Sequence, residues 1–256
     1  MGFYAGFDAA VFPGVDTMAW LKAHSNLSWC GYYLAPAPNL APQAGSWRGQ
    51  RAAIAASWGL APIYVGQQLP RRGVPGDTTP GFSAILTAAQ GRIDGEAAVA
   101  LALRDGFVRG SYLYVDWEDG SALTQACRNY LGAWLSAVSA RGFGPGAYCS
   151  HLLADQFARL LLAVRPRRPG RLWCFKVSST VLHELATPLT RLPANDPAGS
   201  GYADAVMWQY EQNAWFDRPI SGQRIVADFN SATMADPGRP ATPAQPAGPA
   251  EEAASV

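Results

Sequence analysis

Residues 111–120, SYLYVDWEDG, set an apolar and aromatic run directly against three carboxylates, Asp116, Glu118 and Asp119. Asp116 and Glu118 are two apart, so in an extended chain both side chains leave one face, roughly 6.6 Å apart along the backbone. Trp117 then points to the opposite face. Asp119, followed by Gly120, reads as a turn former, because Asp readily hydrogen-bonds its own local backbone. Glu gains little in a turn, so Glu118 is the residue a turn leaves unexplained. Paired carboxyl groups are what cleavage of a glycosidic bond requires. One stays protonated to release the leaving oxygen, and a second negative group stabilises or attacks the oxocarbenium-like centre. Clustered acids in a partly dry pocket raise one another's pKa, which lets one hold a proton near neutral pH.

Such a pair works only if a scaffold presents it. Strand-like segments occur at 3–8, 29–35, 60–68, 111–115, 144–150, 171–178, 205–211 and 224–230. Helical spacing of apolar residues fills most gaps, at 16–24, 46–59, 94–107, 123–142 and 151–164, with Asp16 and Asp94 placed as N-caps. The stretch 187–202 has neither pattern. Repeated β–α alternation predicts an α/β protein built as a single (β/α)8 TIM-type barrel, irregular in its last third. An open doubly wound sheet is the alternative, but no glycine-rich fingerprint follows the first strand.

In a barrel the C-terminal strand ends form one face, where active sites assemble. Here those ends carry Asp8, Gln67 and Gln68, Asp116 and Glu118, Tyr148, Gln209, and Asp228 with Asn230. Closure makes the first and last strands neighbours and brings Asp8 beside Asp228. Asp8, Asp116, Glu118 and Asp228 are therefore the candidate catalytic acids. Gln67, Tyr148, Trp208, Gln209 and Asn230 are the candidate substrate-binding residues. Tyr32, Tyr33, Tyr64 and Tyr210 also lie near these ends but read first as core, as aromatics in a barrel usually do.

Composition narrows the field. The chain has 256 residues, 49% hydrophobic and 15% charged, enough to bury a large core. Twenty basic and 19 acidic residues leave a net charge of +1 with no basic stripe, which argues against a nucleic-acid partner. No apolar run of about 18 residues suggests a membrane span, and residues 1–14 show no charged leader of a signal peptide. Cys30, Cys127, Cys149 and Cys174 lack metal-site spacing and read as buried thiols, with a Cys149–Cys174 bridge left open. His24, His151 and His183 cluster with nothing, so neither a metal nor another cofactor is expected. A monomer is expected. Residues 236–256 are nearly all Pro, Ala, Gly and small polar residues, and read as a disordered tail or linker after a barrel domain at 1–235.

GFD near the start, YVDWEDG, and WQY followed by VADFN resemble the family-25 glycoside hydrolases, the barrel muramidases. More closely, YYLAPAPN, WGLAPIYVGQQ, YVDWEDG and PGAYCS resemble the bacterial glycoside-hydrolase-like domains of unknown function related to them. The resemblance covers residues 3–235. It implies that Glu118 is the general acid and that Asp116 stabilises charge or orients the substrate's acetamido group. Asp8 and Asp228 would tune and position. It implies a β-1,4-linked amino-sugar polymer such as peptidoglycan as partner, and action at the envelope or outside the cell. Loops at 35–45 and 67–91 are long enough to reshape the groove. A non-catalytic, carbohydrate-binding descendant is therefore the competing expectation, and hydrolysis of another polysaccharide is a third.

Overall fold

A computed structural model of the chain describes residues 2–35, 46–69, 85–166, 168–218 and 222–240. Eight strands close into a barrel: β1 (Tyr4–Asp8), β2 (Leu27–Tyr33), β3 (Gly59–Val65), β4 (Tyr112–Trp117), β5 (Gly144–Ser150), β6 (Arg171–Phe175), β8 (Met207–Asp217) and β9 (Arg224–Ala232). A two-residue strand, β7 (His183–Glu184), adds to the outer part of β8. The first six strands are parallel in sequence order, β8 joins β6 in the same direction, and β9 closes the ring antiparallel to both β8 and β1.

The closed eight-stranded barrel is as expected, but the regular (β/α)8 repeat is not met. The described residues hold five α-helices: α1 (Val15–His24), α2 (Arg51–Ile54), α3 (Ala88–Arg104), α4 (Gln125–Ala140) and α5 (Ala154–Ala163). After β6 the connection is made by β7 and 3-10 turns, and β8 and β9 form a hairpin. A hairpin needs no crossover helix, because antiparallel strands join directly.

Helix ends also differ from the sequence reading. Gly14, with φ 91°, precedes α1, and Asp16 sits inside its first turn rather than capping it. The helix expected at 46–59 is a single turn, 51–54. That expected at 94–107 begins six residues earlier, because Thr87 accepts from the Gln90 N–H as the true N-cap. Asp94 lies buried within α3, accepting from the Tyr130 hydroxyl at 2.7 Å and from Gln90 Nε2 at 2.8 Å.

The barrel interior is filled by aromatic rings. Trp173 packs edge-on against Trp29, Tyr114 and Tyr148, at centroid distances of 5.5, 6.1 and 5.2 Å. Each such pair adds about 0.5–1.5 kcal/mol beyond its buried area. Glycines make the room: a Cβ on Gly146 would lie 2.4 Å from the Tyr114 ring. At the N-terminal end, residues 236–238 close the barrel. Asp236 Oδ1 accepts from the Leu60 N–H, Gly238 bridges Leu60 and Tyr112 through its backbone, and the Pro237 carbonyl accepts from Tyr114 and Arg171. The expected domain boundary at 235 thus falls inside the barrel's own closure. The rest of the predicted tail, and most of the loops at 35–45 and 67–91, lie outside the described residues. All four cysteines are buried free thiols, with Cys149 and Cys174 opposite each other on β5 and β6. Among the described residues no helix is long and apolar enough to cross a membrane.

Candidate functional site

The C-terminal strand ends open into a cleft of about 540 Å³. Asp8, Asp116, Glu118 and Asp228 all line it. β4 brings Asp116, buried throughout its length and flanked in register by Val65 on β3 and Tyr148 on β5. Glu118 follows the end of β4 and stands exposed at the rim. Asp8 ends β1 and faces Asp228 as its register partner on β9. Because β9 runs the other way, Asp228 lies in mid-strand rather than at a strand's end. The predicted neighbourhood survives with the direction reversed.

Each inner acid has its own support. Asp8 accepts from the Tyr33 hydroxyl at 3.0 Å and from Asn230 Nδ2 at 2.8 Å. Asn230 Oδ1 in turn accepts from Trp173 Nε1 at 2.9 Å, which ties the site to the packed core. Asp228 accepts from Gln209 Nε2 at 2.6 Å and from the Asn213 backbone N–H at 2.7 Å. The Tyr148 hydroxyl donates to Gln209 Oε1, so Tyr148 acts one step behind Asp228. Asp116 differs: its Oδ1 is buried with no hydrogen-bond partner among the described residues. Gly31 leaves the space these acids need, since a Cβ there would lie 2.6 Å from that of Asp8.

Burial dominates the electrostatics. It raises Asp8 to about 6, against the lowering effect of its two donors, with Glu118 adding a smaller upward push. Burial also holds Asp116 well above the ordinary carboxylate range, followed by repulsion from Glu118, Asp8 and Asp228. Asp228 is raised by burial and then by Asp8, while Asn213 and Gln209 pull it back. Asp8 and Asp228 each receive two hydrogen bonds that favour the charged form, whereas Asp116 Oδ1 receives none.

The expected binding residues divide. Gln209 and Asn230 reach the acids directly, and Tyr148 does so through Gln209. Gln67 turns away: its Nε2 meets Asp94 at 3.4 Å and its N–H meets the Tyr130 hydroxyl, on the helix side. Trp208 packs outward over Gly199, with Nε1 donating to the Lys176 carbonyl at 3.2 Å. Tyr32 and Tyr64 also face outward, toward Asp105 and Trp134.

Gln68 and Tyr33, which the sequence places near strand ends without choosing them as binding residues, line the cleft, as does Asn213, which the sequence does not single out. Gln68 clamps the Asp-x-Glu segment, donating from Nε2 to the Asp116 carbonyl at 2.8 Å and accepting the Glu118 N–H at 3.2 Å. Asn213 has φ 56° in an irregular stretch of β8, and that conformation aims its N–H at Asp228. No group of three or more His, Cys, Asp or Glu among the described residues is arranged to hold a metal ion.

Residues 19–236 match the family described as Rv2525c-like, glycoside hydrolase-like domain, and the chain belongs to that family. It is similar in fold to an uncharacterized B. stearothermophilus protein, with 19% identity, TM-score 0.53, and coverage of 90% of this chain and 95% of that one. It is likewise similar to the Mycobacterium tuberculosis Tat-secreted protein Rv2525c in complex with L-tartrate, with 14% identity, TM-score 0.54, and coverage of 91% and 96%. The modular Cpl-1 endolysin complexed with a peptidoglycan analogue aligns at TM-score 0.49 and 14% identity over 90% of this chain and 54% of that one, too weak a likeness to bear on function. A search of the curated proteins gave no significant match.

Proposed function

We propose that the cleft binds a β-1,4-linked amino-sugar polymer of the peptidoglycan kind and hydrolyses it, with Glu118 as general acid. The observation that carries this reading is the gathering of four carboxyl groups at one cleft, Glu118 at the rim, Asp8 and Asp116 buried below it and Asp228 half-buried beside them. Glu118, exposed beside the opening, is placed to meet the oxygen of an incoming glycosidic bond. The negative charge that stabilises an oxocarbenium-like centre is best supplied by Asp8 and Asp228, whose carboxylates already receive two donors each. Asp116 is buried and its Oδ1 has no hydrogen-bond partner among the described residues, and we assign it to orienting the substrate, for instance through an acetamido group. This moves charge stabilisation from Asp116, where the resemblance put it, to its neighbours. The expected place of action is the cell envelope or outside the cell.

One observation favours a second reading, a carbohydrate-binding domain without turnover. The dry surroundings that favour a protonated carboxyl fall on Asp8 and Asp116, whereas Glu118 is exposed. Mass spectrometry of products after incubation with purified peptidoglycan decides between them. New reducing ends support the hydrolase, and binding with unaltered glycan length supports the binder.

A further inference from the structure

The β8–β9 hairpin runs past the barrel mouth, β8 continuing to Asp217 and β9 beginning at Arg224. Cross-strand register pairs Trp215 with Val226 and Asp217 with Arg224, so these four side chains share one face. Along β9, Arg224, Val226 and Asp228 alternate with the buried Ile225 and Ala227, and all three line the acidic cleft. Arg224 is the one cationic side chain among the described residues lining that cleft, against four carboxyl groups. It lies four residues from Asp228, about 13 Å along the strand.

The guanidinium of Arg224 is already oriented. Its carbon sits 3.7 Å from the centroid of the Trp215 ring, and its Nε donates to Asp217 Oδ1 at 3.2 Å. One face and one edge of the group are thereby fixed, and its terminal NH2 groups make no hydrogen bond within the described residues. A planar fork held this way suits a carboxylate, which it can grip through two parallel hydrogen bonds. Acids inside the cleft repel an anionic ligand, so a cation at this distance decides whether a charged glycan is tolerated or favoured.

We propose that Arg224 reads a carboxylate substituent of the bound polymer, so that the cleft selects an acidic glycan over a neutral one of the same backbone. This rests on the glycan-binding reading above, but not on turnover. In peptidoglycan the carboxyl of the lactyl group is free only where no peptide is attached. The selection therefore favours peptide-free strands, and places this protein after a reaction that cleaves the amide between lactyl group and peptide.

The test compares binding, by calorimetry at low salt, of peptide-free peptidoglycan strands with the same strands after conversion of their carboxyl groups to primary amides. Wild type should bind the carboxylate form about tenfold more tightly, in line with a hydrogen bond to a charged group that is half open to solvent. The ratio should fall to near one in Arg224→Gln, be partly kept in Arg224→Lys, and shrink in high salt. Equal binding of both strands by wild type, or an unchanged ratio in Arg224→Gln, overturns the role of Arg224 alone. Absence of binding to either strand overturns the glycan reading with it.

Discussion

Asp116 and Glu118 stand two residues apart with opposite surroundings, one buried without a partner on Oδ1 and one open at the rim. If the site cleaves a glycan, Glu118→Gln keeps the shape and removes the transferable proton, which should slow turnover by about 10²-fold or more with little change in Tm. Turnover within a few-fold of wild type would remove Glu118 from the role. Asp116 makes a separate prediction about stability. Its pKa is raised on folding, so the folded protein binds more protons than the unfolded chain once the pH exceeds the ordinary value of 3.8. Stability from this group is complete below that value and is lost as pH rises; Asp8 adds the same trend as pH passes about 6. Asn at position 116 cannot ionise. Asp116→Asn should therefore gain in Tm relative to wild type as the pH is raised from 5 to 8. A gain that is equal at both pH values, or smaller at pH 8, would contradict the assignment.

At the scale of elements, the site depends on places where regular structure stops. β3 ends at Val65, and the chain leaves the strand before Gln67. Simple alternation from Val65 puts Gln67 inside, but the broken strand gives the inner position to Gln68. β8 is irregular between Gln209 and Ala214, and Asn213 takes up the slack in the left-handed region. Asn tolerates that region better than a residue with a plain Cβ, and Gly tolerates it freely. Asn213→Ala should lower Tm by about 2–8 °C, from roughly 1–2 kcal/mol of backbone strain. Asn213→Gly should lie closer to wild type, because the N–H to Asp228 is kept without strain. Thermal melts of both variants check the order, and an alanine variant as stable as the glycine one would show that φ at 213 is not the constraint.

The whole molecule is a barrel whose two ends differ, one open and one sealed. The mouth carries acids, and the opposite end is sealed by residues 236–238 against Leu60, Tyr112, Tyr114 and Arg171. Those hydrogen bonds contribute about 0.5–1.5 kcal/mol each. Ending the chain at Ala235 should accordingly lower Tm by 10 °C or more, whereas ending it at Pro240 should leave Tm within about 2 °C, since the residues beyond are too polar and small to bury a core. Similar melts for the two truncations would mean that the seal contributes little.

The eight barrel strands were legible in the sequence, because alternation of strands and helices is a local signal; closure, and with it the meeting of Asp8 with Asp228, was expected from the missing glycine-rich fingerprint of an open sheet. Asp116 and Glu118 both reach the cleft, although β4 ends at Trp117 and the spacing of two no longer fixes the face of Glu118. Direction of the last strand was not legible, since RIVADFN reads alike in either sense and only pairing with β8 and β1 sets it. Nor was the start of α3. Gly91 looks like a breaker, yet it lies inside the helix where α4 approaches so closely that a Cβ there would meet the Tyr130 carbonyl oxygen at 2.1 Å. Which acids are dry and which is wet was likewise decided in three dimensions. Burial depends on what neighbouring strands bring, and no spacing along β4 records that Val65 and Tyr148 flank Asp116 while Glu118 is exposed.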